Sequence, residues 1–174
     1  MSELTTRQTD EAFRPLRADT CQVTNPHRSA GQSAAPTRNF DGGDDQLVPR
    51  QGPPTRLMVV DDAPRVRAAI AQTVSGEADL TLVAECSNAQ SAAALAVSSF
   101  ATVALVDLLL PDQGIGLDLV RSISATSGCA VVAMSVRSGL RNDALAAGAV
   151  AFVEKGSDIG AVLDAVRAAK ASQG

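Results

Sequence analysis

The sequence has no tryptophan and no tyrosine, and its 174 residues include four phenylalanines and one histidine. A core must therefore be filled mainly by Ala, Val and Leu, whose small side chains suit thin layers of helix packed on sheet. Nor is there an excess of positive charge: 15 Lys and Arg stand against 19 Asp and Glu, a net charge of −4. That balance argues against non-specific binding to nucleic acid or to an anionic membrane surface, both of which need a basic face. No apolar stretch reaches the roughly 20 residues of a membrane span, and the N-terminus lacks the basic-then-apolar order of a signal peptide. Cysteine is scarce too. Its three positions, 21, 86 and 129, are odd in number and far apart, and no two make a metal-type pair. That usage reads as thiols in a reducing compartment, so a soluble, cytoplasmic protein with no membrane contact is expected.

What is present falls into two regions. Residues 1–54 hold six of the eight prolines, many Ser, Thr, Gln, Asn and Gly, and mixed charge without apolar periodicity. Such a stretch cannot bury enough surface to offset its ordering entropy, so a disordered tail is expected. Within it, Glu11 to Arg17, with Phe13 and Leu16, can form a turn of helix on a partner.

Residues 55–172 alternate sharply, as one domain. The apolar run "RLMVV" stops at Asp61-Asp62 and is followed from Pro64 to Val74 by Val66, Ile70 and Val74 at helical spacing. Proline is tolerated in a first helical turn. Strand runs recur at 80–86, 102–106, 130–134 and 150–153, and helical patterns at 89–97, 117–124, 140–147 and 159–171. Gly148 is placed to end the fourth helix. Five strands alternating with five helices predict an α/β fold, a doubly wound five-stranded parallel sheet covered on both faces. The strands are continuous apolar runs, as doubly buried strands should be. Ligands of such sheets sit beyond the carboxyl ends of the strands.

The polar residues at those ends form a set: Asp61 and Asp62 after the first strand, Asp107 after the third, Ser135 after the fourth, Lys155 after the fifth. Three carboxylates gathered there repel one another unless a cation intervenes. Mg2+ suits few carboxylates plus retained waters. With the cation in place, one carboxylate can attack phosphorus, while Lys155 and the Ser135 hydroxyl serve the phosphoryl oxygens. Each residue also has a duller reading. Asp62 and Ser135 can cap the helices that follow, Asp107 can be a turn residue before Pro111, and Lys155-Gly156 can be a solvated turn. Taken together the dull readings require coincidence at four strand ends.

The segments "VVDDAPRVR", "ALVDLLLPD", "VAMSVRSG" and "AGAVAFVEKGS" resemble the response-regulator receiver domains of two-component signalling, over about residues 55 to 172, and most nearly the NarL-type branch. The resemblance implies a flavodoxin-like (βα)5 receiver in which Asp107 forms the acyl phosphate. It implies that Asp62, Asp107 and the carbonyl of Leu109 bind Mg2+, with Asp61 acting through the metal or its water. It makes Ser135 and Phe152 a switch pair that remodels the face of the fourth helix, fifth strand and fifth helix. A core role for Phe152 stays open. The implied partners are a sensor histidine kinase, a downstream protein of unknown identity, and a second copy through the remodelled face. The chain would be a phospho-acceptor supporting its own Mg2+-dependent phosphorylation and dephosphorylation, not an enzyme in the ordinary sense.

The pattern departs from the family in three ways. "DQGIG" between Pro111 and Leu117 is one residue longer than the usual acceptor loop; Val136 is bulky where the wider family has a small residue, which suggests slower access of water; and the sequence stops just after the fifth helix, so no helix-turn-helix and no direct DNA binding is expected. His27, the one histidine, lies in the tail and is no phosphoryl donor. Alternatives are a phosphorylation-independent receiver-like adaptor and a small metal-dependent phosphatase. The full acid set with Ser135 and Lys155 argues against the first. The absence of a further general acid or base argues against the second.

Overall fold

Runs rich in Val, Leu and Ala form strands that can be buried on both faces. In the computed structural model, which describes residues 21–24, 52–111, 115–126 and 128–173, they do so. Strand β1 is Cys21–Val23, β2 Thr55–Val60, β3 Leu80–Cys86, β4 Val103–Asp107, β5 Ala130–Ser135 and β6 Ala151–Glu154. Helix α1 is Pro64–Val74, α2 Ala89–Ser98, α3 Ile115–Thr126, α4 Arg141–Ala146 and α5 Ile159–Ala171; a 3-10 turn, Ser138–Leu140, leads into α4. The sheet order is β1-β3-β2-β4-β5-β6. Strands β2 to β6 pair in parallel, so the five-stranded doubly wound core expected from the alternation is present.

Successive side chains of a strand face opposite ways, which splits the core in two. Leu57 and Val59 of β2 join Ile70 and Val74 of α1 and Val162, Leu163 and Val166 of α5. Met58 and Val60 join Ala92 and Ala96 of α2, Val120 and Ile123 of α3 and Ala144 of α4. Small residues dominate the second layer, so its helices lie close to the sheet. The turns follow local chemistry. Asn88 caps α2 by accepting the Ser91 N–H at 3.1 Å, and Asp158 caps α5 by accepting from Gly160 at 3.1 Å. Gly148 adopts φ 106 at the end of α4, which glycine reaches without steric penalty.

Two expectations need correction. The tail is not structureless throughout: Cys21–Val23 adds an antiparallel sixth strand to the edge of β3, in the register Cys21↔Cys86, Gln22↔Glu85, Val23↔Ala84. Nor are all three cysteines thiols. Cys21 and Cys86 form a disulfide across 65 residues, while Cys129 is buried and lies outside that bond. Separation along the chain says nothing about distance in space, and the sheet edge brings the two Cα atoms within 4.1 Å. The proposed helical turn at 11–17 and His27 lie outside the described residues.

Gly116 fixes the start of α3 against the turn that follows β4. A Cβ added there would lie 2.4 Å from the Leu108 carbonyl oxygen and 2.6 Å from its Cα, both backbone. Gly116→Ala should destabilise the protein by about 1–3 kcal/mol in urea unfolding, the range of steric overpacking. Gly139→Ala, where a Cβ meets nothing within 4 Å, should leave the midpoint nearly unchanged.

Candidate functional site

The polar ends of the parallel strands converge because backbone hydrogen bonds carry the register past the last sheet residue. The Asp61 N–H donates to the Cys86 carbonyl (3.1 Å), the Leu108 N–H to Met134 (2.9 Å), and the Lys155 N–H to Ser135 (2.8 Å). Asp61 and Asp107 are 0% and 1% exposed, Ser135 is fully buried, and Asp62 faces solvent. Asp61, Asp62 and Asp107 each present a carboxylate oxygen within 4.8 Å of the others.

Lys155 closes the cluster. Its Nζ lies 2.6 Å from Asp107 Oδ2 and 2.8 Å from Asp61 Oδ2. The other oxygens are tied to the backbone: Asp61 Oδ1 accepts the Ala63 N–H at 2.8 Å, and Asp107 Oδ1 accepts the Leu109 N–H at 2.9 Å. Burial pushes the Asp61 carboxyl above its ordinary pKa, and the Asp107 charge adds to this against the hydrogen bonds from Lys155 and Ala63 and the lysine charge. Burial works against the Lys155 ammonium, but its hydrogen bonds to Asp107 and Asp61 outweigh that and hold its pKa above the usual lysine value.

Asp61 Oδ2 is fully buried and, among the described residues, its one polar partner is the Lys155 ammonium, 2.8 Å away. An under-satisfied buried carboxylate oxygen, in an all-oxygen set of three acids, fits a hard divalent cation such as Mg2+. Asp62 is free to join, because the residue capping α1 is Ala63, followed by Pro64, and no side chain caps that helix. Its duller reading as a helix cap therefore fails. The cap reading of Ser135 fares no better, since its Oγ accepts the Arg137 N–H at 3.1 Å, ahead of the 3-10 turn. Asp107, in contrast, does act as a turn residue through Leu109 while still facing Lys155. Phe152 lies buried in the α2–α3–α4 layer with the Arg141 guanidinium 4.9 Å above its ring. Residues 112–114 of the long acceptor loop lie outside the described residues.

Two arginines at the site's margin carry no sequence signal. Arg67 of α1 donates to the Asp61 carbonyl at 2.5 Å and points its Nε toward Glu85, 4.0 Å away. Arg141 covers Phe152. A charged residue on an amphipathic helix reads as a solvated face, and nothing in the pattern separates these two from their exposed neighbours.

The family model of the response regulator receiver domain matches residues 57–167. No curated protein matches the chain. Among solved structures, a LuxR-family two-component response regulator from Aurantimonas sp. SI85-9A1 is 28% identical, with a TM-score of 0.63 over 68% of this chain and 86% of that one. The signal receiver domain of a putative response regulator NarL from Mycobacterium tuberculosis is 25% identical, with a TM-score of 0.59 over 67% and 98%. The response regulator domain of Thermotoga maritima CheB, 22% identical with a TM-score of 0.61 over 67% and 96%, shows a likeness of fold alone.

The raised pKa of Asp61 has a measurable consequence. The native state favours the protonated form, so this contribution to stability is complete below the unfolded value of 3.8 and is lost as pH rises through the folded value. An Asn at this position does not titrate. In metal-free urea unfolding between about pH 4 and pH 8, Asp61→Asn should therefore gain stability relative to the parent as pH rises. A difference that stays flat across that range would contradict the assignment. Saturating Mg2+ should stabilise the parent more than the variant.

Proposed function

The chain belongs to the response regulator receiver domain family, and from that premise we propose that it accepts a phosphoryl group from a sensor histidine kinase on Asp107 and signals through a changed protein-binding surface. The observation that carries this reading is the placement of one ammonium, Lys155 Nζ, within 2.8 Å of both Asp61 and Asp107 amid three clustered acids. A carboxylate nucleophile there has a counter-charge already positioned for the incoming phosphoryl group.

An oxygen of Asp107 attacks phosphorus as the bond from phosphorus to the donor breaks. For a phosphohistidine that is the P–N bond, and its electron pair leaves with the imidazole. The product is an acyl phosphate. Lys155, held protonated, exchanges part of its contact with Asp107 for a phosphoryl oxygen. The Ser135 hydroxyl, already at the end of β5, donates a hydrogen bond to another. Asp61, Asp62, Asp107 and the Leu109 carbonyl would hold Mg2+, which when bound neutralises charge on the phosphoryl oxygens. In dephosphorylation, water attacks phosphorus, the bond from phosphorus to the Asp107 oxygen breaks, orthophosphate departs and the carboxylate returns.

Ser135 and Phe152 connect this event to the surface of α4, β6 and α5. Movement of the hydroxyl at the end of β5 changes what the neighbouring strand β6 packs against. Phe152 is on that strand, under Arg141 of α4. This face would bind the downstream protein or a second copy. Among the described residues no helix is long and apolar enough to cross a membrane, and we place the chain in the cytoplasm, where ATP-fed histidine kinases hold their phosphoryl group.

Incubation with acetyl phosphate and Mg2+ should add one phosphoryl group by intact mass, and Asp107→Asn should abolish it. Lys155→Ala should slow incorporation by a factor of about 100 or more, the scale on which a positioned electrostatic group acts. A chain that stays unmodified by acetyl phosphate and by small-molecule phosphoramidates, yet still binds a partner, would be an adaptor instead. Val136 is 63% exposed beside Ser135. Val136→Ala should shorten the lifetime of the phosphorylated form by opening the approach for water, read as the decay rate of the phosphorylated mass.

A further inference from the structure

The bond between Cys21 and Cys86 joins the edge of the sheet to the acid cluster at its end. Cys86 is the last residue of β3, lies opposite Val60 of β2, and is fully buried. Its carbonyl accepts the Asp61 N–H, so the residue that carries the disulfide also positions the backbone of a site acid. On the other side, β1 has only three paired residues, supplemented by the Thr24 N–H to the Val83 carbonyl (2.9 Å) and the Thr24 hydroxyl to the Leu82 carbonyl. Gln22 and Val23 are exposed, so the strand buries little apolar surface. Three ladder residues with so little burial offset little of the entropy of fixing them. Among the described residues the disulfide is the one covalent tie between β1 and β3.

Both cysteines are also provided for when the bond is absent. Cys86 Sγ lies 3.1 Å from the Asn88 carbonyl, which a free thiol there can use as an acceptor. Asn88 Nδ2 lies 3.5 Å from Cys21 Sγ. Asn88 also caps α2, so one residue connects the sulfur pair to a helix and to the strand end.

We propose that Cys21 and Cys86 are a reversible thiol–disulfide switch that docks the N-terminal segment on β3 when oxidised and thereby fixes the Cys86–Asp61 backbone contact at the acid cluster. A low-molecular-weight disulfide is the oxidant. The thiolate of half-buried Cys21, having lost its proton to solvent, attacks one sulfur of that disulfide and expels one thiolate. Cys86, likewise deprotonated, attacks the Cys21 sulfur of the mixed disulfide and expels the second. Two protein thiols and one small disulfide become one protein disulfide and two small thiols, so the cysteine pair loses two electrons and two protons. The bearing of this switch on phosphoryl transfer rests on the function proposed above, whereas the docking does not.

The test uses the full chain, equilibrated with glutathione disulfide or with dithiothreitol. Alkylation after unfolding should find one thiol, Cys129, in the oxidised chain and all three cysteines in the reduced one. Hydrogen exchange should then show protection at residues 22–24 and at the Asp61 amide in the oxidised chain, with loss of that protection on reduction. Cys21→Ser should behave as the reduced form under both conditions without disturbing buried Cys86, and Cys129→Ala should behave as the parent. Mixed glutathione adducts or crosslinked dimers in place of the internal bond would overturn the proposal. So would protection at 22–24 and Asp61 that survives reduction. Phosphorylation of Asp107 in both redox states, with different rates, supports the link to the site, and equal rates break it. Failure of phosphorylation in both states counts against the proposed function alone.

Discussion

The structure turns on one electrostatic constraint: two buried carboxylates, Asp61 and Asp107, face a single ammonium from Lys155, with a third acid at the solvent edge. The negative charge exceeds the positive in a place from which water is largely excluded. Such an arrangement is costly by itself, and it pushes the Asp61 carboxyl toward its neutral form. Under the proposed function, the same excess would draw a divalent cation and leave Asp107 ready for an electrophile that brings its own need for positive charge. Under the same proposal, a neutralised cluster would be a more stable sheet end and a poorer phosphoryl acceptor.

The sheet exists to hold that unfavourable arrangement together. Each acid sits at the end of a strand whose residues are mostly apolar, and the ladder of parallel hydrogen bonds fixes the relative heights of those ends. Single bonds beyond the ladder, from Asp61 to Cys86, Leu108 to Met134 and Lys155 to Ser135, extend the register by one residue into the loops. The side chains are then oriented by their own neighbouring amides, Ala63 for Asp61 and Leu109 for Asp107. The repulsion is borne by backbone geometry that the two layers of apolar core keep rigid.

This division of labour explains what could be read from the sequence. The parallel strands were legible because double burial demands uninterrupted apolar runs, and a polar residue ending such a run marks the chemical end of the sheet. Asp61, Asp107 and Lys155 stood out for that reason. Strand β1 was not legible, since an edge strand pairs through its backbone and Cys-Gln-Val carries no alternating pattern to announce it. The disulfide was missed by the same route: its partner is set by the strand order β1-β3-β2, which places a tail residue beside Cys86. Arg67 and Arg141 were hidden because helical charge reads as solvated surface, whereas one holds the Asp61 carbonyl and the other covers Phe152. The capping reading of Asp62 failed because the cap position before Pro64 is held by Ala63, with no side-chain cap on α1.

The sheet's two borders are therefore unlike each other. On the β6 side, Phe152 under Arg141 joins the last strand to α4 through a contact between a ring and a cation, the border that the proposed function has repack when the end of β5 changes. On the β3 side, three residues of added strand are held by a covalent bond, which resists repacking for as long as the bond lasts. The acid cluster lies between them and touches both, through the Lys155–Ser135 backbone bond on one side and the Asp61–Cys86 bond on the other. Under the proposed function, a change of charge at Asp107 is relieved at the border that no covalent bond holds, the one that carries Phe152.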